Sequence, residues 1–278
     1  MLQIVIPAYN EELRLPRTLR ALRRFVTARR SVYGVVEVLV VDNGSADRTA
    51  EVAEAADSPA MRVRILGCPD RGKGAAVRAG LLASDADLVA FMDADGATDL
   101  TALDAAWLRV HHGADVAIGS RALAGSVADV RSRRIRAAGA AAYRRLARRL
   151  VPTIADTQCG FKLIRGDLAR AVAADLVAPG FSFDVELLVR LGAAGARIDE
   201  IPVTWTDVPG STFVPARHGA GAFAELAAIA WRTRHLSTPL PGTVTVGTPT
   251  ASPVPLPAPV ALPVALAVPA AASLLGEA

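Results

Sequence analysis

Two carboxylates stand two residues apart at the point where a run of apolar residues ends. Asp93 and Asp95 follow Leu88–Met92, a run that predicts a buried strand. Two acids at the end of a buried strand are unfavourable unless a cation neutralises them. Carboxylate oxygens suit Mg²⁺ or Mn²⁺, so the pair predicts a site for a divalent metal that carries a phosphate. A solvated turn rich in Asp and Gly is the alternative, since the spacing alone is a weak signal.

The loop after the first predicted strand carries side chains suited to a nucleotide. Residues 2–6 form that strand, and Pro7 ends it. Tyr9 can stack on a base, and Glu11 can accept hydrogen bonds from a base or a ribose. The structural alternative, which is compatible with the first, is a helix N-terminus with Asn10 as its cap.

A second polar loop follows the strand predicted at residues 35–41. Asp42 ends this strand, and its carboxylate can accept hydrogen bonds from a base or a sugar. A tight turn with Asn43 and Gly44 explains the residue about equally well, since Asp bonds its own backbone in such turns.

Several cationic residues stand beside turns, where they can meet phosphate. Residues 71–74 lie at the start of the helix predicted at residues 72–83 but lack the spacing of a complete phosphate-binding loop, which argues against an ATPase. Lys73 remains a candidate phosphate contact. Arg121 is a second candidate, and Arg131 with Ser132 is a third, because guanidinium groups and hydroxyls suit phosphate oxygens.

Polar residues in the second half of the chain suit a sugar. Residues 156–162 are compact and polar, and Asp156 and Gln158 offer a carboxylate and an amide. A simple turn is the alternative. Farther along, Asp184 suits the cap of a helix, and Glu186 suits the surface of that helix.

Strand and helix signals alternate through the first half, which predicts an α/β fold with a mostly parallel sheet and helices on both faces. The predicted strands are residues 2–6, 35–41, 62–66, Leu88–Met92, 114–118 and, later, 197–204. The predicted helices are residues 12–26, 46–56, 72–83, 100–110, 130–150, 183–194 and 220–232. Ligands gather at the carboxyl ends of strands in such folds, so the polar loops should meet at one edge.

The composition predicts one large domain, residues 1–235, followed by a low-complexity tail, residues 236–278. The tail is rich in Pro, Ala and Val, and no charged residue precedes Glu277 in it. Such a sequence cannot build a core, so we expect it to be disordered. Its repeated prolines also argue against a helix that spans a membrane.

The charge limits the classes of partner that the sequence predicts, and the cysteine content bears on the cellular location. The net charge is +4, and eight arginines fall within residues 131–149. Such a stretch can meet anionic lipid, a phosphorylated substrate or nucleic acid, but no interleaved aromatic residues support nucleic acid. Two cysteines without metal-ligand spacing, and an N-terminus without a signal-peptide pattern, predict a cytoplasmic protein with peripheral membrane contact as an option.

Taken in order, these motifs resemble family 2 glycosyltransferases with the GT-A fold, a Rossmann-like nucleotide-diphospho-sugar transferase fold. The resemblance rests on residues 4–12, 41–45, 72–74, 93–98 and 119–121. Residues 156–162, 183–188 and 203–211 are similar to those of dolichyl-phosphate β-glucosyltransferases. Two features depart from the pattern: Asn43 stands where a second acid is common, and the N-terminus carries no hydrophobic anchor.

The resemblance implies roles for the candidate residues. The residues that would bind the nucleotide sugar are Pro7, Tyr9, Glu11, Asp42, Asp93, Ala94 and Asp95, together with Lys73. Asp93 and Asp95 would hold Mg²⁺ or Mn²⁺ on the diphosphate. Arg121, Arg131 and Ser132 would meet the acceptor phosphate, with Arg121 and Arg131 also catalytic. Asp156 would lie near the transferred sugar, as a base or an orienting group.

The implied reaction transfers a hexose, glucose from UDP-glucose, to a polyprenyl phosphate with inversion. Another nucleotide sugar such as GDP-mannose, or a soluble phosphorylated acceptor, is the alternative within the same fold. A non-catalytic protein that binds nucleotide sugars is the alternative of another class.

Overall fold

The computed structural model describes residues 1–129, 134–208 and 215–236. Its strands are β1 (Leu2–Ala8), β2 (Val36–Asp42), β3 (Met61–Gly67), β4 (Leu88–Met92), β5 (Val116–Ser120), β6 (Val127–Asp129), β7 (Phe161–Arg165), β8 (Ile198–Pro202) and β9 (Thr204–Thr206). Its helices are α1 (Leu15–Ala28), α2 (Arg30–Tyr33), α3 (Thr49–Glu54), α4 (Lys73–Leu82), α5 (Thr101–His111), α6 (Arg134–Leu150), α7 (Gly166–Asp175), α8 (Phe183–Ala193) and α9 (Pro215–Thr233). Arg131 and Ser132 lie outside the described residues, as does the predicted tail from residue 237 onward.

The described chain forms a sheet of seven strands in the order β3-β2-β1-β4-β7-β5-β8. Parallel pairing joins β3, β2, β1 and β4, and also β5 and β8. Only β7 runs antiparallel to its neighbours, β4 and β5, so the predicted mostly parallel sheet is confirmed. Because β7 runs the other way, Phe161 at its start lies opposite Met92 at the end of β4. The residues just before β7 therefore share the edge at which the parallel strands end.

Helices cover both faces of the sheet. Successive residues of a strand point to opposite faces, so Ile4 and Ile6 of β1 join one core while Val5 joins the other. Helices α1, α3 and α5 supply the first core, and α4, α7 and α8 supply the second. Burial on both faces explains why these strands read as nearly continuous apolar runs.

The second half differs from the prediction at three elements. No strand or helix was predicted between residues 150 and 183, yet this segment forms β7 and α7. The single strand predicted at residues 197–204 is two strands, because the chain leaves β8 at Val203 and forms β9. β9 then pairs with β6 in a separate two-stranded sheet.

Helices α6 and α9 pack with α8 around a small third core. Tyr143 and Ala147 of α6 are buried there with Val185 of α8 and Leu226 of α9. None of the helices in the described ranges is long and apolar enough to cross a membrane.

Candidate active site

A cleft of about 660 Å³ lies where β1, β2 and β4 end and β7 begins. Its lining includes these residues predicted from the sequence: Pro7, Tyr9, Glu11, Lys73, Asp93, Ala94, Asp95, Arg121 and Gln158. Asp42 and Asp156 lie next to residues that line the cleft. Asp42 accepts a hydrogen bond from the N–H of Ser45, and Asp156 accepts one from the N–H of Arg121. The predicted convergence of several strand-end loops on one edge is therefore what the structure shows.

The loops after β1 and β2 are tied together by hydrogen bonds. The backbone N–H of Asn10 donates to Ser45 Oγ at 3.0 Å, and the Asn10 side chain accepts from the N–H of Ala46 at 2.9 Å. Asn10 has a positive φ of 54°, which Asn tolerates better than most residues. The alternative in which Asn10 caps the next helix is wrong, because α1 begins at Leu15 without a side-chain cap. Asn10 instead fixes the loop that presents Tyr9 to the cleft.

Glu11 is a buried carboxylate held by Arg14. Arg14 Nε donates to Glu11 Oε2 at 2.7 Å, and a second guanidinium nitrogen contacts Oε1. Burial raises the pKa of Glu11; Arg14 lowers it, while Asp95 and Asp93 add to the rise. Three carboxylates thus influence one another across the cleft, which makes the region favourable for a cation.

Asp42 and Asn43 organise two loops. Asp42 Oδ1 accepts a hydrogen bond from the N–H of Ser45 at 3.1 Å, so the turn expected from its sequence forms. Asn43 Nδ2 donates to the carbonyl of Asp70 at 2.6 Å, and Asn43 Oδ1 accepts from the N–H of Gly72 at 2.7 Å. An acid at position 43 could not make the first of these bonds. Asn43 therefore fixes the segment that leads into α4.

The N-terminus of α4 is closed by another loop. The carbonyl of Pro179 accepts from the N–H groups of Gly74 and Ala75 at 2.8 and 3.2 Å. Gly72 has a φ of 121°, and a Cβ placed there would lie 2.1 Å from the Pro179 oxygen, so only glycine fits. Because these amides are occupied, they do not form a phosphate-binding loop, in agreement with the sequence.

Lys73 extends from this helix start into the cleft. Its Nζ pairs with Asp93 Oδ1 at 2.6 Å. Burial alone would lower the pKa of Lys73, but the carboxylates of Asp93 and Asp184 outweigh it and raise the pKa. Lys73 therefore stays protonated and places a positive charge beside the first acid of the pair.

Asp93 and Asp95 are set by close packing at the sheet edge. The N–H of Asp93 donates to the carbonyl of Gly160 at 3.1 Å, and a Cβ at Gly160 would lie 2.0 Å from Asp93 Oδ2. Asp95 Oδ1 accepts from the N–H of Ala97 at 3.0 Å. Burial raises the pKa of Asp95, and the neighbouring Asp93 raises it further. Both acids are thus held in a place where a cation would relieve their repulsion.

The donor set fits a metal that arrives with a phosphate. Among the described residues, no three acidic, histidine or cysteine side chains are arranged to enclose a metal by themselves. Mg²⁺ commonly takes one or two carboxylates and completes its shell with substrate phosphates and water. Asp93 and Asp95 match that requirement.

Arg121 and Asp156 form a two-pronged ion pair beside the acids. Arg121 Nε and Nη2 donate to the two carboxylate oxygens of Asp156 at 2.7 and 2.9 Å, and the N–H of Arg121 adds a third bond at 3.0 Å. Burial alone would raise the pKa of Asp156, but Arg121 outweighs it and the pKa is lowered. The Arg121 guanidinium also lies 5.4 Å from the ring centre of Trp205. Asp156 therefore remains ionised and orients an arginine that lines the cleft.

A buried ion pair lies behind the cleft. Lys162 of β7 is 0% exposed; its Nζ donates to the carbonyl of Cys159 at 3.0 Å and pairs with Asp184. Burial raises the pKa of Asp184, against the opposing effect of Lys162 and Lys73. The prediction that Asp184 caps its helix is wrong, because the start of α8 has no side-chain cap. Asp93, Lys73, Asp184 and Lys162 instead form a series of alternating charges, here called the charge chain.

The prediction for Glu186 is also wrong. It was predicted on the surface of α8, yet it is 0% exposed. Its carboxylate accepts from the N–H groups of Val177 and Ala178 at 3.1 and 2.7 Å and pairs with Arg190 at 2.8 Å. Glu186 therefore fixes the loop before α8, whose Pro179 closes α4.

The sequence missed several lining residues. Arg14, Arg71, Phe181 and Trp205 line the cleft and were not predicted. Arg14 could have been found, since it stands three residues after Glu11 and its charge matches. Phe181 and Trp205 carry no local signal, because distant parts of the chain bring them to the cleft.

Known relatives identify the family. The family model described as glycosyl transferase family 2 matches residues 3–172. The dolichyl-phosphate beta-glucosyltransferase of Homo sapiens is 35% identical over 231 residues, which cover 77% of this chain and 70% of that protein. The protein of the same name from Dictyostelium discoideum is 31% identical over 225 residues, which cover 77% and 69%.

Solved structures show the same fold. Glucosyl-3-phosphoglycerate synthase from Mycobacterium tuberculosis, in complex with Mn²⁺, UDP-glucose and phosphoglyceric acid, matches with a TM-score of 0.59. The match is 20% identical and covers 84% of this chain and 79% of that one. It supports the GT-A fold, and the family model and the relatives show that this chain belongs to glycosyl transferase family 2.

Proposed function

We propose that the protein transfers glucose from UDP-glucose to a polyprenyl phosphate, with inversion at the anomeric carbon. The observation that carries the proposal is one cleft that contains Asp93 and Asp95 with Lys73 and also Arg121. The acids suit a metal-bound diphosphate, and the arginine suits a second phosphate. The name of two relatives, dolichyl-phosphate beta-glucosyltransferase, supports glucose as the sugar and a polyprenyl phosphate as the acceptor.

The donor nucleotide binds to the loops after β1 and β2. Tyr9 is half exposed at the cleft and stacks on the base, while Pro7 borders it. Glu11 and Asp42 accept hydrogen bonds from the base or the ribose. The bonds between these two loops hold the nucleotide site in shape before the donor arrives.

Negative charge grows on the nucleoside diphosphate as its bond to the sugar breaks. Asp93 and Asp95 would hold Mg²⁺ or Mn²⁺, and the metal would neutralise part of this charge. Lys73 remains protonated and offers a second positive charge beside Asp93. The fixed positions of these groups lower the barrier because they need little rearrangement during the reaction.

The acceptor phosphate binds near Arg121. One of its oxygens attacks the anomeric carbon from the face opposite the leaving diphosphate, so the configuration inverts. That oxygen is already anionic near neutral pH, so positioning matters more than a strong base. The lowered pKa of Asp156 and its bonds to Arg121 support a positioning role for this acid. Arg131 and Ser132 remain predicted contacts to the same phosphate.

A panel of donors and acceptors tests the proposal. Purified protein with Mg²⁺ or Mn²⁺ is incubated with UDP-glucose or GDP-mannose and with a short polyprenyl phosphate or a soluble phosphorylated acceptor. Mass spectrometry identifies the product, and the coupling constant of its anomeric proton reports the configuration. We expect a β-linked glucosyl polyprenyl phosphate from UDP-glucose.

Each other outcome contradicts a part of the proposal. A product from GDP-mannose alone would replace the donor, and a product on the soluble acceptor alone would replace the lipid. Binding of nucleotide sugar without transfer to any acceptor would favour a non-catalytic protein.

The cytoplasmic location predicted from the cysteines belongs to the same proposal and agrees with two free, buried thiols.

A further inference from the structure

Helix α6 presents a strongly basic face to solvent. This arginine face consists of Arg144, Arg145, Arg148 and Arg149, all of them exposed. Tyr143 and Ala147 on the opposite side of the helix are buried against α8 and α9. Arginines four residues apart are neighbours on a helix and repel each other, so the arrangement favours an anionic partner.

No acid from the packed helices neutralises the arginine face. Within the described ranges, none of its four side chains forms an ion pair. The acids of the two neighbouring helices are engaged elsewhere: Asp184 and Glu186 are buried with the partners given above, and Glu225 accepts from the N–H groups of Gly180 and Ser182 at 2.7 and 3.0 Å. The positive charge of the face is therefore directed to solvent.

The charge of the whole chain is concentrated in the same region. Residues 131–150 contain eight arginines and no acid. The remaining 23 basic and 27 acidic residues leave a net charge of −4 for the rest of the chain. Helix α1 is also basic, but it packs against α3, which exposes Glu51 and Glu54.

The arginine face is connected to the cleft. Arg148 Nη2 donates to the carbonyl of Ala155 at 3.2 Å. The next residue, Asp156, holds Arg121 in the lining of the cleft. A charged surface bound by α6 would thus lie close to the part of the cleft assigned to the acceptor phosphate.

We propose that the arginine face docks the protein on a bilayer that contains anionic lipid. Basic residues are attracted to such headgroups within a Debye length, and salt screens the attraction. A single-stranded nucleic acid would need exposed aromatic residues for stacking, whereas Tyr143, the aromatic residue of α6, is 6% exposed. The choice of a membrane rests on the proposed function, because a polyprenyl phosphate is displayed at that surface.

Vesicle binding by matched variants tests the docking surface. The full chain is sedimented with vesicles of phosphatidylcholine alone, or of phosphatidylcholine with phosphatidylglycerol. Arg144, Arg145 and Arg149, which have no described partner, are replaced together by Gln. Replacing three exposed arginines of α1, Arg17, Arg20 and Arg24, by Gln gives a control with the same change in charge. We expect binding only to the anionic vesicles, weakened about 100-fold by the α6 variant and at most about threefold by the α1 variant.

Further arms keep the outcomes separate. Replacing the same α6 arginines by Lys should preserve binding, and the Gln variant should keep the wild-type midpoint of thermal unfolding. Equal losses in the α1 and α6 variants, unchanged binding by the α6 variant, or binding to an oligonucleotide but not to vesicles would each overturn the proposal. Binding is measured without donor, and transfer to a short-chain acceptor is measured without vesicles. Failure of transfer with vesicle binding intact would therefore contradict the proposed function and leave the docking surface standing.

Discussion

The two halves of the cleft are built by different means. The donor half, named for the nucleotide sugar that it is proposed to bind, consists of Tyr9, Glu11, Lys73, Asp93 and Asp95. These residues come from loops that follow strands and from the start of α4. Bonds that involve the backbone, such as those of Asn10 and Asn43, hold these loops together. The acceptor half, named for the phosphate that it is proposed to bind, consists of Arg121, Asp156 and Trp205. It depends on side-chain contacts between distant segments.

This difference decides how each half responds to change. A parallel sheet brings strand ends to one edge whatever their side chains are, so the donor half is fixed by topology. The acceptor half exists because β7 enters the sheet in the opposite direction with a buried lysine, and because Arg121 and Asp156 pair across 35 residues. Substitutions in the donor half should therefore lower activity without lowering stability. Substitutions in β7 and the acceptor half should lower both.

Replacing Asp95 by Asn should have the largest effect on activity. Loss of a proposed metal ligand should reduce kcat by about 1,000-fold or more. The pKa of Asp95 is raised in the folded protein, so its ionised form opposes folding above the ordinary carboxyl range. Removing that charge should leave the free energy of unfolding at pH 7 unchanged or slightly higher. Steady-state kinetics and chemical denaturation measure the two quantities.

Asp85→Asn provides the control for this prediction. Asp85 is exposed and does not line the cleft, so its replacement should change neither kcat nor stability. Full activity in Asp95→Asn would contradict the assignment of the metal site. A large loss of stability in that variant would contradict the view that the donor half is held by its loops.

Replacing Lys162 by Met should have the largest effect on stability. The change would leave Asp184 buried without its partner, which typically costs about 3–5 kcal/mol. The affinity of the donor half for UDP should fall as well, because Lys73 is then the one cation of the charge chain beside Asp184. Urea denaturation measures the free energy of unfolding, and calorimetry measures the affinity for UDP.

Two further variants separate the buried pair from other causes. Arg165→Met removes an exposed charge from the same strand and should cost less than about 1 kcal/mol. Lys162→Met combined with Asp184→Leu removes both charges and should recover most of the stability. If the double variant were as unstable as Lys162→Met, the loss would reflect packing rather than an unpaired charge.

The sequence predicts where the strand-end loops of the donor half lie but misses β7, because it reveals only what a local pattern indicates. Loops such as the one at Asp93 and Asp95 follow apolar runs, and alternating elements indicate where those runs end. Lys162 makes β7 look unlike a buried strand, because its partner Asp184 is distant in the sequence. No local pattern shows that the charge of Lys162 is neutralised. Glu186 was misplaced for a similar reason, since its partners include backbone N–H groups of a preceding loop. Pairings of this kind can be predicted only once the topology is known.

Arg121 and Asp156 should respond unequally to replacement. Arg121→Gln removes the proposed phosphate contact and leaves a carboxylate that is 6% exposed without its main partner. We expect kcat to fall about 100-fold and stability to fall by about 1–3 kcal/mol. Asp156→Asn keeps the arginine but loosens it, so kcat should fall only about 10-fold. If Asp156 acted as an essential base, its replacement would cost more than that of Arg121.

The pH dependence should follow the same pair. The pKa of Asp156 is lowered, so its contribution to stability is present above the ordinary carboxyl range and is lost as the pH falls through the lowered value. Stability should therefore decline less steeply with acid in Asp156→Asn than in the wild type. Identical acid profiles for both proteins would show that the pair does not stabilise the acceptor half.

Asn43→Asp should have the smallest effect and tests the donor half at its departure from the family pattern. An acid can still accept from the N–H of Gly72 but cannot donate to the carbonyl of Asp70, so the segment before Lys73 should loosen. We expect the KM for the donor to rise about threefold to fivefold, with kcat unchanged, as for the loss of one hydrogen bond of about 1 kcal/mol. Asn43→Ala loses both bonds and should raise KM further. A lower KM in Asn43→Asp would mean that an acid at this position contacts the nucleotide, and that this contact outweighs the bond that fixes the loop.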